Sequence, residues 1–134
     1  MLRKTEDKEL MKFLNDYNSS WLEKGIEKVK LYYPEEDSEL IYFDNHKKND
    51  TTSVCSHLKL INDFFQNGKK TESGTVEEIL MEDINFFRAE NSACICYLAR
   101  YKSFPAPAVR TTMYLEKISG LWKIKHIHCS FKPV

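Results

Sequence analysis

The sequence predicts an α+β fold in which a cone-shaped, strongly curved antiparallel sheet wraps around helices that come before it in the chain. Two observations predict this layout. Apolar residues recur at helical spacing in the first half, and from Thr71 onward that spacing gives way to long strand-like segments joined by tight turns. At 134 residues the chain fits one domain, residues 1–134, with a core of its own. We expect the concave side of the sheet to enclose a cavity.

Apolar side chains at helical spacing predict two helices at the start of the chain. The first covers about residues 5–24, with charged and polar residues between its apolar positions Leu10, Phe13, Leu14, Tyr17 and Trp21. Gly25 ends it, and a shorter helix runs from Ile26 to about Tyr33. Pro34 stops this second helix because proline disfavours the helical conformation of the residue before it.

A strand and a third helix follow. Residues 38–44 are rich in apolar and aromatic side chains and predict a strand, which the polar run 45–50 closes. The third helix begins near Thr52 or Ser53, either of which suits a helix cap, and ends at 67–68. Its apolar stripe is Val54, Leu58, Ile61 and Phe65.

The second half predicts a meander of long strands at about 72–87, 92–103, 108–117 and 121–131. Turn residues mark the breaks between them at Glu90-Asn91, at 104–107 and at Ser119-Gly120. In the first of these strands, polar pairs interrupt the alternation and predict bulges that bend it; the pairs are Glu77-Glu78 and Glu82-Asp83.

Composition excludes several classes of partner. The 20 basic residues balance the 20 acidic ones and are scattered, which argues against nucleic acid. No apolar stretch is long enough to span a membrane, and the N-terminus lacks a signal peptide, so we expect a cytoplasmic protein. We expect reduced cysteines packed as small apolar residues, and no cofactor, because no glycine-rich phosphate loop is present.

Two segments carry a resemblance to a known superfamily: residues 92–97 (Ser-Ala-Cys-Ile-Cys-Tyr) and residues 120–130, which contain a Gly-x-Trp and a His-x-His-x-Ser pattern. With the order of elements, they resemble nuclear transport factor 2-like proteins, which include SnoaL-like and ketosteroid isomerase-like members. The most similar branch is the association domain of calcium/calmodulin-dependent protein kinase II and its bacterial relatives. The resemblance implies a cystatin-like α+β roll, but this fold hosts enzymes, ligand binders and assembly modules alike.

Strand alternation then predicts an inner and an outer face. Where members of the superfamily carry anion-binding arginines, this chain has Ala99, Met113 and Cys129, so we expect an apolar pocket. The predicted pocket residues are Tyr17, Trp21, Tyr42, Tyr97, Met113, Leu115, Ile127 and Cys129. The outer face is too apolar to be left exposed to solvent. The resemblance implies that it forms the interface of a homodimer or larger oligomer. Its predicted interface residues are Leu98, Arg110, Tyr114, Trp122, Ile124, His126 and His128.

Asp44 is the candidate catalytic residue. It closes the first predicted strand near the expected mouth of the cone, where related isomerases carry an acidic general base, and an aspartate among aromatic side chains suits proton abstraction. The alternative is a solvated carboxylate that starts a turn.

We expect Arg100 and Arg110 in surface ion pairs. If a bulge turns one of them inward, that arginine would lie in the pocket instead.

His126 and His128 share one face of a strand and offer two metal ligands. The local sequence lacks a third ligand, which Cys94 or Cys96 on another strand would have to supply. We therefore expect structural histidines, hydrogen-bonded across a dimer interface, and no metal.

Two functions follow from these expectations. The leading hypothesis is a small-molecule-binding SnoaL-like homodimer for an apolar or planar ligand, with Asp44 as acid or base in isomerase- or cyclase-type chemistry. The alternative is a non-catalytic oligomerisation module similar to the kinase association domain.

Overall fold

The described part of the chain forms one seven-stranded sheet with three α-helices on its inner face. The computed structural model describes residues 2–44, 49–67, 78–103 and 107–132. The helices are α1 (Lys8–Ser20), α2 (Ile26–Val29) and α3 (Val54–Asn67), and short 3₁₀ turns at Trp21–Glu23 and Lys30–Tyr32 follow α1 and α2. The strands are β1 (Leu2–Lys4), β2 (Glu39–Phe43), β3 (Thr51–Ser53), β4 (Ile79–Arg88), β5 (Ser92–Tyr101), β6 (Val109–Ile118) and β7 (Leu121–Phe131).

The sheet is curved and open, with the strand order β1-β4-β5-β6-β7-β2-β3. Neighbouring strands run antiparallel except β2 and β7, which pair in parallel. The predicted α+β fold with a curved sheet around N-terminal helices is therefore confirmed, with one parallel pair that the sequence did not indicate. No helix among the described residues is long and apolar enough to cross a membrane.

Element boundaries differ from the predictions mainly at the N-terminus. α1 begins at Lys8 because Asp7 caps it, its Oδ1 accepting a hydrogen bond from the Leu10 amide at 3.0 Å. Leu2–Lys4 form β1, which pairs with the end of β4, and Thr51–Ser53 form β3, which pairs with β2; neither strand was predicted. The start of the predicted strand 72–87, including Glu77 of its first polar pair, and most of the 104–107 loop lie outside the described residues.

Two bulges set which side chains face the helices. The first interrupts β4 between Glu82 and Asn85, where Asp83 adopts a positive φ of 52°, and this confirms the bulge predicted at Glu82-Asp83. The second was not predicted: on β6, Tyr114 pairs with His126 and the next residue, Leu115, pairs with Ile124. Lys125 is therefore the extra residue, and the alternation of β7 reverses there.

The β7 bulge corrects one prediction. Trp122 and Ile124 were predicted to lie on the outer face, yet they are 7% and 0% exposed and belong to the core beneath the helices. On the other side of Lys125, His126 and His128 face outward as expected, because the bulge shifts the alternation by one residue.

A charged cluster fixes the start of α1 to the sheet. The Arg88 guanidinium reaches Asp7 Oδ2 at 3.2 Å and Glu9 Oε2 at 2.7 Å, and it lies 5.4 Å from the centroid of the Trp122 ring. Trp122 Nε1 in turn donates to Glu9 Oε1 at 2.8 Å. These contacts position α1 across the inner face, where its side chains meet those of the central strands.

Candidate functional site

Seven polar side chains converge inside the sheet and form what we call the inner tyrosine cluster. The helical layer contributes two of its tyrosines and a histidine, and the strands β2, β5, β6 and β7 contribute one residue each. Five of the seven are buried, and the β2 and β7 members are half-buried. The members are Tyr17, Tyr33, Tyr42, His57, Tyr97, Thr111 and Cys129.

A hydrogen-bonded chain runs through the cluster from α1 to α3. The hydroxyls of Tyr17 and Tyr33 bond to each other, and the Tyr33 hydroxyl lies 3.1 Å from His57 Nε2. On the strand side, the ring of Tyr42 packs on His57 with centroids 4.4 Å apart, and Thr111 Oγ1 contacts Cys129 Sγ at 3.9 Å. The helices and the sheet thus meet through polar groups at this point of the core.

The ionisable groups of this cluster are electrically neutral near neutral pH. Burial lowers the pKa of His57 to about 4 and raises the pKa of Tyr17 to about 12. Burial likewise raises the pKa of the Cys129 thiol to about 11. The pKa values of Tyr33, Tyr42 and Tyr97 are also raised, again mainly by burial.

One atom of the cluster is unsatisfied. The His57 side chain is 4% exposed, and its Nδ1 has no hydrogen-bond partner among the described residues. A buried polar atom without a partner costs about 1–3 kcal/mol, so folded proteins rarely leave one unless it serves a purpose. Nδ1 can donate or accept, depending on which ring nitrogen carries the proton.

Asp44 follows β2 at the edge of the cluster. Its Oδ2 accepts a hydrogen bond from Asn49 Nδ2 at 2.7 Å, and its amide donates to Asp50 Oδ1 at 3.0 Å. The charge of Asp44 acts to raise the pKa of His57 against the larger effect of burial, and it also contributes to the raised pKa of Cys129. The candidate base is therefore electrostatically coupled to the cluster.

The remaining predicted pocket residues lie on the inner face as part of the hydrocarbon core. Met113, Leu115 and Ile127 are buried, and Trp21 packs edge-on against Phe65 with ring centroids 5.3 Å apart. That these side chains line a ligand pocket stays a prediction.

Sequence reasoning missed three members of the cluster: Tyr33, His57 and Thr111. The sequence does contain a signal for His57. This residue falls on the apolar stripe of α3, three residues after Val54, where a polar ring is unexpected. Tyr33 was predicted only as the end of a helix. Thr111 shares the inward alternation of Met113 and Leu115, but its small hydroxyl gives no signal by itself.

The outer face carries the predicted interface residues other than Trp122 and Ile124. His126 Nδ1 lies 2.9 Å from the carbonyl oxygen of Ile41, and His128 is exposed, so these two rings have separate environments. Arg100 pairs with Glu82 through Nε at 2.9 Å, and Arg110 Nε donates to Ser130 Oγ at 3.3 Å. Both arginines face outward. Among the described residues, no group of three or more histidine, cysteine or acidic side chains is placed to hold a metal ion.

Known structures share this architecture. A proposed dehydratase of the nuclear transport factor 2-like family from Streptomyces avermitilis matches with a TM-score of 0.77 and 9% identity, over 95% of this chain and 96% of that one. A proposed calcium/calmodulin-dependent protein kinase II association domain from Xanthomonas campestris matches with a TM-score of 0.72 and 16% identity, over 97% and 90%.

A nuclear transport factor 2-like protein from Cytophaga hutchinsonii gives a TM-score of 0.71 at 10% identity, over 96% of this chain and all of that one. No protein-family model matches the sequence, and a search among curated proteins finds no relative. The chain thus has the nuclear transport factor 2-like fold that the sequence resemblance implied. At these identities the likeness establishes the fold alone.

Proposed function

We propose that this protein binds an uncharged, planar small molecule on the inner side of the sheet, against the inner tyrosine cluster. The observation that carries the proposal is the buried Nδ1 of His57, which has no hydrogen-bond partner in the part of the chain that the structure describes. A ligand with one carbonyl or hydroxyl group would satisfy this atom, and the surrounding aromatic rings would pack against a flat ligand body.

The charge of the site favours a neutral ligand. His57 is neutral above about pH 4, and the tyrosine and cysteine members hold their protons at neutral pH, so the cluster offers no cation to an anion. Transferring an unpaired charge into such a site would cost far more than one hydrogen bond returns. A carboxylate-bearing ligand is therefore disfavoured.

The same groups suit proton transfer. Neutral His57 is bonded to Tyr33, which is bonded to Tyr17, and Asp44 supplies a nearby negative charge. Such an arrangement can take a proton from a carbon next to a carbonyl and return it elsewhere, as isomerases, cyclases and dehydratases require. The structural likeness to a proposed dehydratase supports this direction. We propose Asp44 and His57 as the acid–base residues of that chemistry.

Binding can be tested with 4-fluorophenol, a small neutral aromatic with a hydroxyl group, by ligand-observed fluorine NMR. We expect binding to the wild type and much weaker binding to His57→Gln, because glutamine can replace Nε2 toward Tyr33 but offers nothing at the Nδ1 position. His57→Asn is the matched variant, since its amide can occupy the Nδ1 position. We expect it to retain binding.

The charged analogue 4-fluorobenzoate and the variant His128→Gln on the outer face are the controls. The proposal fails if His57→Gln binds 4-fluorophenol as well as the wild type does, or if the wild type prefers 4-fluorobenzoate. Thermal melting of each variant separates loss of the site from loss of the fold.

Assembly is the second candidate function. Ile41 and Phe43 of β2 are 46% and 45% exposed on the outer face, and Phe43 lies edge-on to His126 and His128 at 5.8 and 5.9 Å. An apolar patch of this kind suits contact with a second copy of the chain. The structural likeness to a proposed association domain supports the same idea.

Sedimentation velocity can test assembly with one pair of substitutions. We expect the wild type to form a dimer or larger oligomer and Phe43→Asp to sediment as a smaller species. Leu31→Asp is the matched control, because Leu31 is 61% exposed but belongs to the 3₁₀ turn Lys30–Tyr32 and not to the apolar patch on β2. A monomeric wild type, or equal behaviour of the two variants, would remove assembly as a function.

A further inference from the structure

Cys94 and Cys96 form a pair of thiols on the outer face of β5. They stand two positions apart on one strand, so their side chains leave the same side, and their Sγ atoms lie 3.9 Å apart. Both thiols are free and half-buried. Neither belongs to the inner tyrosine cluster, and the proposed function makes no use of them.

The pair is poorly placed to close on itself as a disulfide. Residues i and i+2 of a strand have Cα atoms roughly 6.6 Å apart and parallel Cα–Cβ bonds. A disulfide needs Cβ atoms only about 3.8 Å apart. Oxidation of Cys94 to Cys96 would therefore require the centre of β5 to distort between its two paired neighbours, β4 and β6. The strand holds the two sulfurs as a dithiol.

The spacing of the sulfurs matches that of two thiolates on one metal centre. With metal–sulfur bonds of about 2.3 Å, two thiolates on one centre lie from about 3.5 Å apart at a pyramidal angle near 100° to about 4.6 Å apart at 180°, and the 3.9 Å of this pair falls between these limits. The residues opposite the pair on the neighbouring strands provide no imidazole, carboxylate or further thiol; they are Asn85, Phe87, Thr112 and Tyr114. A centre held here would have two protein ligands, both soft sulfurs, which selects against hard ions.

Small molecules can reach the dithiol from the side of Cys96. Cys96 lines an open groove of about 490 Å³, together with Leu98, Arg110, Thr112 and Lys132. Leu98, Arg110 and Thr112 share the outward alternation of Cys96 on β5 and β6, so the groove opens on the outer face beside Cys96.

From this geometry we propose that Cys94 and Cys96 form a chelating site for a thiophilic metal or metalloid centre that takes two thiolates, such as Cu(I) or trivalent arsenic. Each thiol gives up its proton as its sulfur–metal bond forms, and no electron is transferred. The site is independent of His57 and of ligand binding at the inner tyrosine cluster.

Phenylarsine oxide tests the site directly, because it reports two thiols within reach of one atom. Two arsenic–sulfur bonds form, the arsenic–oxygen bond breaks, and the oxygen leaves with both thiol protons as water. The full-length protein is treated with one equivalent of the reagent in excess 2-mercaptoethanol, which removes arsenic from single thiols, and its intact mass is measured. We expect the wild type to retain one phenylarsenic group.

Single substitutions locate the site. Cys94→Ser and Cys96→Ser should each retain roughly tenfold less label or lower still, because removing one thiol abolishes the chelate advantage. Cys55→Ser, which removes an exposed cysteine on α3, should label like the wild type. If a serine variant does not fold, fragmentation of the labelled wild type decides instead, since the label must map to the peptide that holds both cysteines. An unlabelled wild type, a label elsewhere, or unchanged labelling of folded Cys94→Ser and Cys96→Ser would overturn the proposal.

Discussion

At the scale of single residues, His57 stands out because its burial works against its chemistry. An imidazole that is 4% exposed, with one nitrogen hydrogen-bonded and the other without a partner among the described residues, destabilises the core. An apolar side chain would fit the stripe of α3 more cheaply. The destabilisation caused by burying His57 is explained if Nδ1 hydrogen-bonds to a ligand. The burial of this titratable ring also makes stability depend on pH.

His57 should make the protein less stable as the solution becomes mildly acidic. Its pKa is about 4 in the folded protein and 6.5 when unperturbed, so the unfolded chain takes up the proton first. Stability is therefore at its full value above about pH 6.5 and falls until about pH 4, by roughly 3 kcal/mol in total from this residue. Urea unfolding across this range measures the loss. In His57→Gln this part of the slope should vanish, and identical slopes in both proteins would contradict the account.

At the scale of elements, the bulge at Lys125 decides which half of β7 is core. A single extra residue on one strand reverses the alternation, so Trp122 and Ile124 face the helices while His126 and His128 face outward. The sequence of β7 shows no interruption of the alternation between inward and outward positions. Only the pairing with β6 reveals that Lys125 is an extra residue. The helix stripes, the positions of β2, β5, β6 and β7 and the bulge at Glu82-Asp83 could be predicted from the local sequence pattern, whereas the short strands β1 and β3 and the bulge at Lys125 could not.

Replacing Ile124 tests its position. Ile124→Ala should lower the free energy of unfolding by about 2–4 kcal/mol, because it leaves a cavity in the core. Leu121→Ala, which truncates a 61% exposed residue of the same strand, is the matched control and should change it by less than about 0.5 kcal/mol. Chemical denaturation of the two variants at the same protein concentration provides the comparison. Equal small effects would place Ile124 on the surface after all.

The charged cluster at the start of α1 has its own pH window. Hydrogen bonds from Arg88 and Trp122 lower the pKa of Glu9 from 4.5 to about 2. Because the folded value is the lower one, the contribution of Glu9 is complete above about pH 4.5 and is lost as the pH falls toward 2. The stability difference between wild type and Glu9→Gln should shrink across this range. Glu6→Gln, which changes an exposed carboxylate, should show a smaller difference throughout; the reverse order would be evidence against the cluster.

At the scale of the whole molecule, the sheet collects residues from distant parts of the chain at one place. Tyr17 and Tyr33 come from the N-terminal helical layer, His57 from α3, and Tyr42, Tyr97 and Cys129 from three different strands. The sequence indicated four of these six through alternation and helical spacing. The places of His57 and Tyr33 in the cluster were not predicted, because they depend on a contact between two helical segments that lie 24 residues apart in the chain. The parallel pairing of β2 with β7 was not predicted either, because it joins two strands that lie far apart in the chain.

The central claim is that His57 is a neutral imidazole with Nδ1 available to a ligand, and nitrogen-15 NMR of its ring tests this most directly. We predict that the ring stays neutral as the pH is lowered to about 4, and that its Nδ1 resonance moves when 4-fluorophenol is added at neutral pH. A ring that titrates near its ordinary value of 6.5, with an Nδ1 resonance unmoved by 4-fluorophenol, would contradict the claim.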